Sequence, residues 1–236
     1  MLPNPVQSQV IEALFTDPTA GARRVLLRAG EMLFATETHH SEAMFIHSGE
    51  IRMFQVGPNG SERLGAIFGP GDWIGAAAVS GVAFAARALA PVASEVSIMP
   101  VANLMDLLPH RPEAAVVLFK QTAERLMHAY STAAGLTFDD CNERLIKTLI
   151  SLSDSPSALH EGDTVTVRIT HQQLAQAVGA ARETISLALT ELRHKHLLAT
   201  GRNRLIFNPL ELAAFRCEPK PRKRSHAPGR ESVSLS

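Results

Sequence analysis

The spacing of hydrophobic positions changes twice along the chain, which divides it into three zones. In the first zone, short apolar segments follow a glycine and an acidic residue at Gly30-Glu31, Gly49-Glu50 and Gly71-Asp72. The segment Gly57–Gly60 separates two further apolar segments and is typical of a hairpin turn. Short apolar segments between frequent turn signals favour an all-β barrel or sandwich. We therefore predict a β-domain over residues 1–110.

The second zone is a stretch without glycine or proline that follows Pro112 and reaches Ala134. Proline suits the first turn of a helix. Steps of four and three, the spacing of a coiled-coil seam, connect Ala115, Phe119, Thr122, Leu126, Ala129, Ala133 and Leu136. This pattern predicts a long helix over 111–137, which pairs with the same helix of a second chain or packs on the chain's own β-domain. We expect a hinge at 137–139, with Asp139 as the N-cap of the next helix.

The third zone, which includes Thr170 to Leu192, is predicted to form two short helices around a turn. Thr170 can cap the first helix through its hydroxyl, and Gly179 permits the turn. The apolar faces of the two helices are formed by Leu174, Ala175 and Val178, and by Ile185, Leu189 and Leu192. Two helices joined in this way form a helix-turn-helix, which predicts binding to DNA.

Polar residues of the second helix face away from its apolar side, close to its N-terminal end. An arginine fork at Arg182 matches guanine O6 and N7, and a carboxylate at Glu183 can accept a hydrogen bond from the cytosine amino group. Ser186 lies on the same side. A charged helix start that is merely solvated is the alternative interpretation.

A basic hairpin is predicted directly after these helices. Apolar residues at 197–200 and 205–207 flank Gly201–Arg204, as in a two-stranded hairpin. Such a wing would hold Arg202 and Arg204 against DNA phosphates, which position a protein without carrying sequence information. The alternative is a hairpin whose arginines are solvated.

These residues, taken in order, resemble the winged helix-turn-helix of the Crp/Fnr family of bacterial transcription regulators. The segments Met44–Ile51 and Phe68–Gly75 resemble the β-roll of cyclic-nucleotide-binding-type domains. The resemblance implies an α+β fold with three parts: a β-roll sensor, a dimerisation helix and a winged helix-turn-helix over 138–215. It further implies a homodimer on palindromic double-stranded DNA, with RNA polymerase as a partner.

The resemblance also assigns the DNA-binding positions. They are Thr170, His171, Gln172, Arg182, Glu183, Ser186, Leu187, Arg202 and Arg204. His171 either meets a phosphate or is an ordinary surface histidine. Many family members have an arginine at the position of Leu187, and a leucine can touch a thymine methyl but cannot hydrogen-bond a base.

The effector pocket departs from that of the members that bind cyclic AMP. Ala76 stands at the position of their ribose-binding glutamate, Phe84 at that of their phosphate-binding arginine, and Tyr130 where helix hydroxyls meet the base. Arg87 is the nearby cation that could serve if the register slips. Because a buried phosphate needs a paired partner, we expect cyclic AMP to be neither bound nor needed. A small apolar molecule, a cyclic dinucleotide or no effector are the alternatives.

Composition narrows the remaining classes. The formal net charge of the 236 residues is zero, although the segment 216–236 is basic and is predicted to be a disordered tail. Two cysteines are too few for an iron–sulfur cluster, and Gly75–Ala77 offers neither Cys nor His to a haem. No histidine set has the spacing of a metal site. We predict no cofactor.

Targeting signals and catalytic motifs are also lacking in the sequence. No secretory signal or membrane-spanning segment is recognisable, which predicts a cytoplasmic protein without a membrane partner. Phosphate-loop, nucleophile-elbow and zinc-protease motifs do not occur, so we expect no enzyme activity. A β-roll regulatory or scaffolding module with vestigial DNA binding, and an enzyme, are the competing classes.

Overall fold

The computed structural model describes residues 5–35, 41–57, 59–82 and 85–217, apart from the side chains at 136–138 and 217. In the N-terminal part, the elements are α1 (Pro5–Phe15), β1 (Arg23–Leu27), β2 (Met32–Phe34), β3 (Glu42–Ser48), β4 (Ile51–Val56), β5 (Glu62–Phe68), β6 (Trp73–Ile74), α2 (Ala76–Ser80), β7 (Ala86–Leu89), β8 (Ser94–Pro100) and α3 (Val101–Leu107). In the C-terminal part, they are α4 (Pro112–Phe138), α5 (Cys141–Ser153), β9 (Leu159–Glu161), β10 (Thr164–Arg168), α6 (His171–Val178), α7 (Arg182–His194), β11 (Leu198–Gly201), β12 (Arg204–Phe207) and α8 (Pro209–Cys217).

The N-terminal domain is the predicted β-roll, built from two antiparallel four-stranded sheets. Their strand orders are β1-β8-β3-β6 and β2-β7-β4-β5. Apolar residues from both sheets, including Ile46, Ile51, Ala88 and Val96, form one buried cluster. Burial of these alternating side chains holds the sheets face to face.

Helices cover the outer face of the first sheet. Ile11 of α1, Phe45 of β3, Leu104 of α3 and Leu118 of α4 belong to a second buried cluster. The sequence analysis did not predict α1, which buries Ile11, Leu14 and Phe15. The β-roll is therefore packed against α4 as well as being connected to it.

The long helix α4 exposes a stripe of large apolar side chains. Its members, called here the α4 stripe, are 52 to 75% exposed and are Val116, Phe119, Leu126, Met127 and Tyr130. Phe119 and Leu126 were predicted seam positions, whereas Ala115 and Thr122 are half-buried. Ala114, Leu118 and Gln121 point into the protein and fix the rotation of the helix. The pairing of the seam with a second chain stays a prediction.

The hinge lies one residue further along than predicted. Asp140, not Asp139, caps α5, and its carboxylate accepts a hydrogen bond from the Glu143 amide at 2.8 Å in a capping box. Asp139 ends α4 and forms an ion pair with Lys147. The prediction was wrong because α4 continues through Phe138, so Asp139 ends that helix and Asp140 is the residue that precedes α5.

The C-terminal domain combines helices α5 to α8 with a four-stranded sheet of order β11-β12-β10-β9. Its core unites the apolar faces of α6 and α7 with α5 and the sheet, through Leu149, Val167, Leu174, Leu189 and Leu205. This core is separate from the two clusters of the β-roll. The predicted fold class, a β-roll followed by a long helix and a winged helix-turn-helix, is confirmed.

Candidate nucleic-acid interface

Two local signals set the geometry of the helix-turn-helix. The Thr170 hydroxyl accepts a hydrogen bond from the Gln173 amide at 3.1 Å, and the Gln173 side chain accepts one from the Thr170 amide at 3.1 Å. Gly179 ends α6 with φ of 70°, a left-handed conformation that glycine adopts without strain. Thr170 was predicted as a DNA-binding residue, and its hydroxyl is committed to this capping box.

The outer face of α7 is exposed at three predicted positions. Arg182, Glu183 and Leu187 are exposed, and the Leu187 residue is 73% accessible. They lie in the first turns of the helix, while Ile185 and Leu189 are buried on its opposite side. A recognition helix uses its N-terminal turns to reach base edges, so this face can enter a DNA groove.

His171 and Ser186 are engaged with each other. The Ser186 hydroxyl donates to the Arg182 carbonyl at 2.9 Å, and His171 Nδ1 lies 3.0 Å from the Ser186 Oγ. Because a hydroxyl has one hydrogen, Nδ1 is the donor of the second bond. The pair therefore joins the start of α6 to the first turn of α7 and leaves the second ring nitrogen of His171 for another partner.

The wing closes one side of the same surface. β11 and β12 form a tight hairpin in which Asn203 has φ of 55°, and the Ile169 amide donates to the Asn203 carbonyl at 3.1 Å. A groove of about 520 Å³ separates this hairpin from the helices. Its lining includes predicted DNA-binding residues from both sides, namely Thr170, His171, Gln172, Arg182, Arg202 and Arg204. The structure thus brings α6, α7 and the wing to one surface.

Arg168 is a basic residue of this surface that the sequence reasoning missed. It lies directly opposite Arg204 in the antiparallel pairing of β10 and β12, and both are exposed. The burial pattern of β10 alternates, with Val165 and Val167 inside, so Arg168 is on the outer face. The alternation Thr-Val-Thr-Val-Arg before Ile169 was the signal that could have found it.

The surface is positively charged because its arginines have no acidic partner among the described residues. Among the described residues, Arg168, Arg182, Arg202 and Arg204 form no ion pair with a carboxylate. Glu183 follows Arg182 in α7 and is also exposed. An exposed cluster of unpaired guanidinium groups attracts phosphate, and each fork can bind it through two hydrogen bonds.

The predicted effector-pocket residues lie on different elements of the fold. Ala76 is exposed at the start of α2, and Tyr130 is 64% exposed within the α4 stripe. Phe84 lies outside the described residues. Neither Ala76 nor Tyr130 supplies a buried polar side chain that an effector phosphate could use.

Arg87 is not a free cation, contrary to its predicted availability. Its guanidinium forms a bidentate pair with Glu62 and stacks on Phe54, with 4.5 Å from its central carbon to the ring centroid. It shares the outer face of its sheet with Phe54, away from Ala88 in the core between the sheets. Glu62 also accepts a hydrogen bond from Gln176 of α6 at 3.4 Å. Hydrogen bonds from Arg87 lower the pKa of Glu62 below its usual value.

The described residues contain neither a cluster suited to a metal ion nor a helix suited to a membrane. No group of three or more His, Cys, Asp or Glu side chains able to hold a metal ion occurs in the described ranges. His47, one of the closely spaced histidines, contacts Glu12 at 3.1 Å and Ser97 at 2.7 Å, while His39 and His40 lie outside those ranges. Within the described part of the chain, no helix is long and apolar enough to span a bilayer.

Sequence comparisons match both domains to known families. The cyclic nucleotide-binding domain family matches residues 24–111, and the Crp-like helix-turn-helix domain family matches residues 143–215. The cAMP-activated global transcriptional regulator CRP of Pasteurella multocida is 26% identical over 180 residues, which are 75% of this chain and 83% of the relative. A CRP-like cAMP-activated global transcriptional regulator of Mycobacterium tuberculosis is 29% identical over 169 residues, 70% of this chain and 75% of the relative.

Solved structures show the same fold. The c-di-GMP responsive global regulator CLP of Xanthomonas campestris superposes with a TM-score of 0.74 at 21% identity, covering 85% of this chain and 99% of CLP. A CRP/FNR family transcriptional regulator of Thermus thermophilus superposes with a TM-score of 0.71 at 23% identity, covering 82% of this chain and 98% of the regulator. With both domains matched in sequence and arranged in the same order, the chain belongs to the Crp/Fnr family of DNA-binding transcription regulators.

Proposed function

We propose that this regulator binds palindromic DNA as a two-fold homodimer, reads bases with α7 and holds phosphates with the wing. The observation that carries the proposal is the group of exposed arginines on one surface, which have no acidic partner among the described residues. Such a surface fits a polyanion, and its recognition helix and wing fit a major groove and its flanking backbone.

Three side chains of α7 divide the base contacts in this proposal. Arg182 donates to a guanine, Glu183 accepts from a cytosine amino group, and Leu187 touches a thymine methyl. Their exposure supports these roles, since none is used to hold the protein core. Arg202 and Arg204 contact phosphates, and the imidazolium form of His171, which has a donor on each ring nitrogen, contacts another.

The α4 stripe supports the dimer. Five large apolar side chains on one long helix lose contact with water when they meet a symmetry-related copy. A parallel pair of these helices would set two recognition helices about 34–36 Å apart, one turn of DNA. We further propose RNA polymerase as a partner, a cytoplasmic location and a role without catalytic turnover, in accordance with the family.

Cyclic AMP is not the effector in this proposal, although the two relatives described above are named as cAMP-activated. A cyclic phosphate needs a cation or several donors once it leaves water. The side chain of Ala76 offers no donor, and Arg87 is already paired with Glu62. Backbone amides remain as the other source of donors, and a cyclic dinucleotide or a small apolar molecule remains as another effector class.

Selection of DNA from a random pool, combined with sedimentation, tests the main proposal. Bound sequences should contain two inverted half-sites with centres about 10–10.5 base pairs apart, and the protein should sediment as a dimer. Leu126→Asp should yield monomers that lose the palindrome, because the new carboxylate would face its symmetry mate. Met105→Asp, which places the same charge on an exposed residue of α3, is the matched control. A wild-type monomer at micromolar concentration that binds palindromes tightly would contradict the dimer.

Titration calorimetry tests the effector proposal separately. Cyclic AMP should give no saturable heat with the wild-type protein. Micromolar binding that Arg87→Ala abolishes would show that Arg87 leaves Glu62 for the phosphate. Micromolar binding that persists in the variant would assign the phosphate to backbone amides. Either result would contradict the exclusion of cyclic AMP, and a parallel titration with cyclic di-GMP tests the dinucleotide class.

A further inference from the structure

The β-roll contains an ion pair that is removed from solvent. Glu50 is 0% exposed and Arg52 is 1% exposed, and Arg52 Nε donates to Glu50 Oε1 at 2.7 Å. Neither partner contributes to the apolar clusters, and a buried ion pair stabilises a fold less well than packed apolar residues would. The role of the pair is therefore indicated by the other hydrogen bonds that Glu50 and Arg52 form.

Those hydrogen bonds cross to the DNA-binding domain. Glu50 Oε2 accepts from the Ser157 amide at 2.9 Å, and Arg52 Nη1 donates to the Arg168 carbonyl at 3.3 Å. Ser157 precedes β9, and Arg168 is the last residue of β10. One buried pair in the β-roll thus contacts the main chain of the other domain at two separate points.

Arg168 stands in an unfavourable position unless an anion is present. Its cross-strand neighbour is Arg204, and like charges directly opposite each other in a sheet repel. Neither has a carboxylate partner among the described residues. A side chain at position 201 would collide with Arg204, since a Cβ there would lie 2.6 Å from its Nε. Gly201 therefore leaves room for the Arg204 side chain to extend over β11, on the side of β12 that faces away from β10, with its guanidinium unpaired within the described part of the chain.

We propose that Arg168 and Arg204 together bind a phosphate of the DNA backbone, and that Glu50 and Arg52 are positioning residues for Arg168. The proposal rests on the proposed DNA binding. A phosphate between the two guanidinium groups removes their repulsion and receives charge-assisted hydrogen bonds. Arg52 acts on this contact through the main chain, because it holds the carbonyl of Arg168 rather than its side chain.

The position of this carbonyl also matters for the helices. Arg168 is followed by Ile169, which is 2% exposed, and by Thr170, the cap of α6. A displacement at Arg168 would therefore move the basic cross-strand pair and the start of α6 together. The β-roll can affect DNA affinity by this route without touching DNA.

The salt dependence of DNA binding tests the proposal. Each phosphate contact contributes about 0.9 to the slope of log affinity against log salt. Arg168→Ala should lower the slope by about that amount, so its affinity loss should shrink about threefold between about 50 and 200 mM salt. Glu50→Gln combined with Arg52→Met removes both buried charges and should lower the slope equally. Adding Arg168→Ala to this double variant should lower it no further.

Matched variants separate positioning from general damage. Arg23→Met with Glu42→Gln removes an exposed ion pair of the same domain and should leave the slope unchanged. Loss of folded protein alone would lower the apparent affinity equally at all salt concentrations. If the Glu50/Arg52 double variant fails to fold, Arg52→Lys replaces it, since a single ammonium can stay beside Glu50 but lacks the second nitrogen that reaches the Arg168 carbonyl.

The salt slopes of the variants test the phosphate contact and the positioning role separately. An unchanged slope in Arg168→Ala would overturn the phosphate contact, and a lowered slope there without one in the Glu50/Arg52 variant would overturn the positioning role. A wild-type protein that selects no DNA would instead overturn the proposed function, and the selection experiment reveals this before any variant is compared.

Discussion

Arginines behave differently in the two domains. From β1 to α4, six of them pair with carboxylates, namely Arg23, Arg24, Arg52, Arg87, Arg111 and Arg125. On the surface made by the wing and α7, Arg168, Arg182, Arg202 and Arg204 form no such pair among the described residues. The same residue type thus stabilises the fold at these six positions and is left available at the four on the DNA-binding surface.

This difference explains why the net charge carries no information about function here. A total of zero hides a surface where positive charge is concentrated, because the acids that balance it lie mostly elsewhere. Unpaired like charges close together cost free energy in the free protein. Their presence on one surface is consistent with a polyanionic partner, whose negative charges relieve the repulsion on binding.

The largest expected effect concerns the buried pair. Arg52→Met leaves the Glu50 carboxylate without its partner at 0% exposure, which should lower the free energy of unfolding by about 3–5 kcal/mol. Arg23→Met removes a pair whose side chains are 61 and 41% exposed, and should cost about 0–1 kcal/mol. Urea unfolding followed by circular dichroism measures both.

Equal losses in these two variants would break the comparison, because buried and exposed pairs would then contribute alike. Adding Glu50→Gln to Arg52→Met supplies the internal control. The second substitution removes the isolated charge, so it should recover part of the lost stability rather than add to the loss.

The next effect concerns the unpaired arginines, which should differ among themselves. Arg182→Ala should cost about 1–3 kcal/mol of DNA-binding free energy and relax the preference at one base position. Arg202→Ala should weaken all sequences alike and reduce the salt slope. Competition binding with half-sites changed one base at a time distinguishes the two patterns. If Arg182→Ala also weakened all sequences equally, Arg182 would be a phosphate contact.

Local signals predicted the helix-turn-helix and wing well. Thr170, Gly179 and the apolar faces of α6 and α7 act within a few residues, so their consequences can be read from the chain alone. The rotation of α4 could not be read in this way. It depends on Gln121 and Arg125, which bond to Gly71 and Asp72 in the β-roll.

Long-range pairing limited the prediction of the site. Arg87 was predicted as a cation that could serve an effector, but the pairing of β4 with both β5 and β7 brings it to Glu62, which is distant in sequence. The same holds for Arg52 and the carbonyl of Arg168, which no periodicity connects. A residue type and its spacing indicate which chemistry is possible, whereas the fold decides which charges are already neutralised.

The smallest expected effect concerns an ion pair whose exposure lies between that of the buried pair and that of the exposed pair. The pair of Glu62 and Arg87 is neither buried nor fully exposed, with side-chain exposures of 24 and 21%, and it links β5 and β7 to Gln176 of α6. Hydrogen bonds from Arg87 depress the pKa of Glu62 below its usual value of 4.5 in the folded protein.

A carboxylate with a depressed folded-state pKa stabilises the fold above its unfolded-state pKa, and this contribution is lost as the pH falls through the folded-state pKa. Glu62→Gln should therefore cost about 1 kcal/mol or less at neutral pH, and the difference from wild type should vanish as the pH falls below 4.5. Urea unfolding midpoints measured at several pH values give this difference directly, and a difference that stays constant across the acidic range would show that the carboxylate contributes through packing and not through its charge.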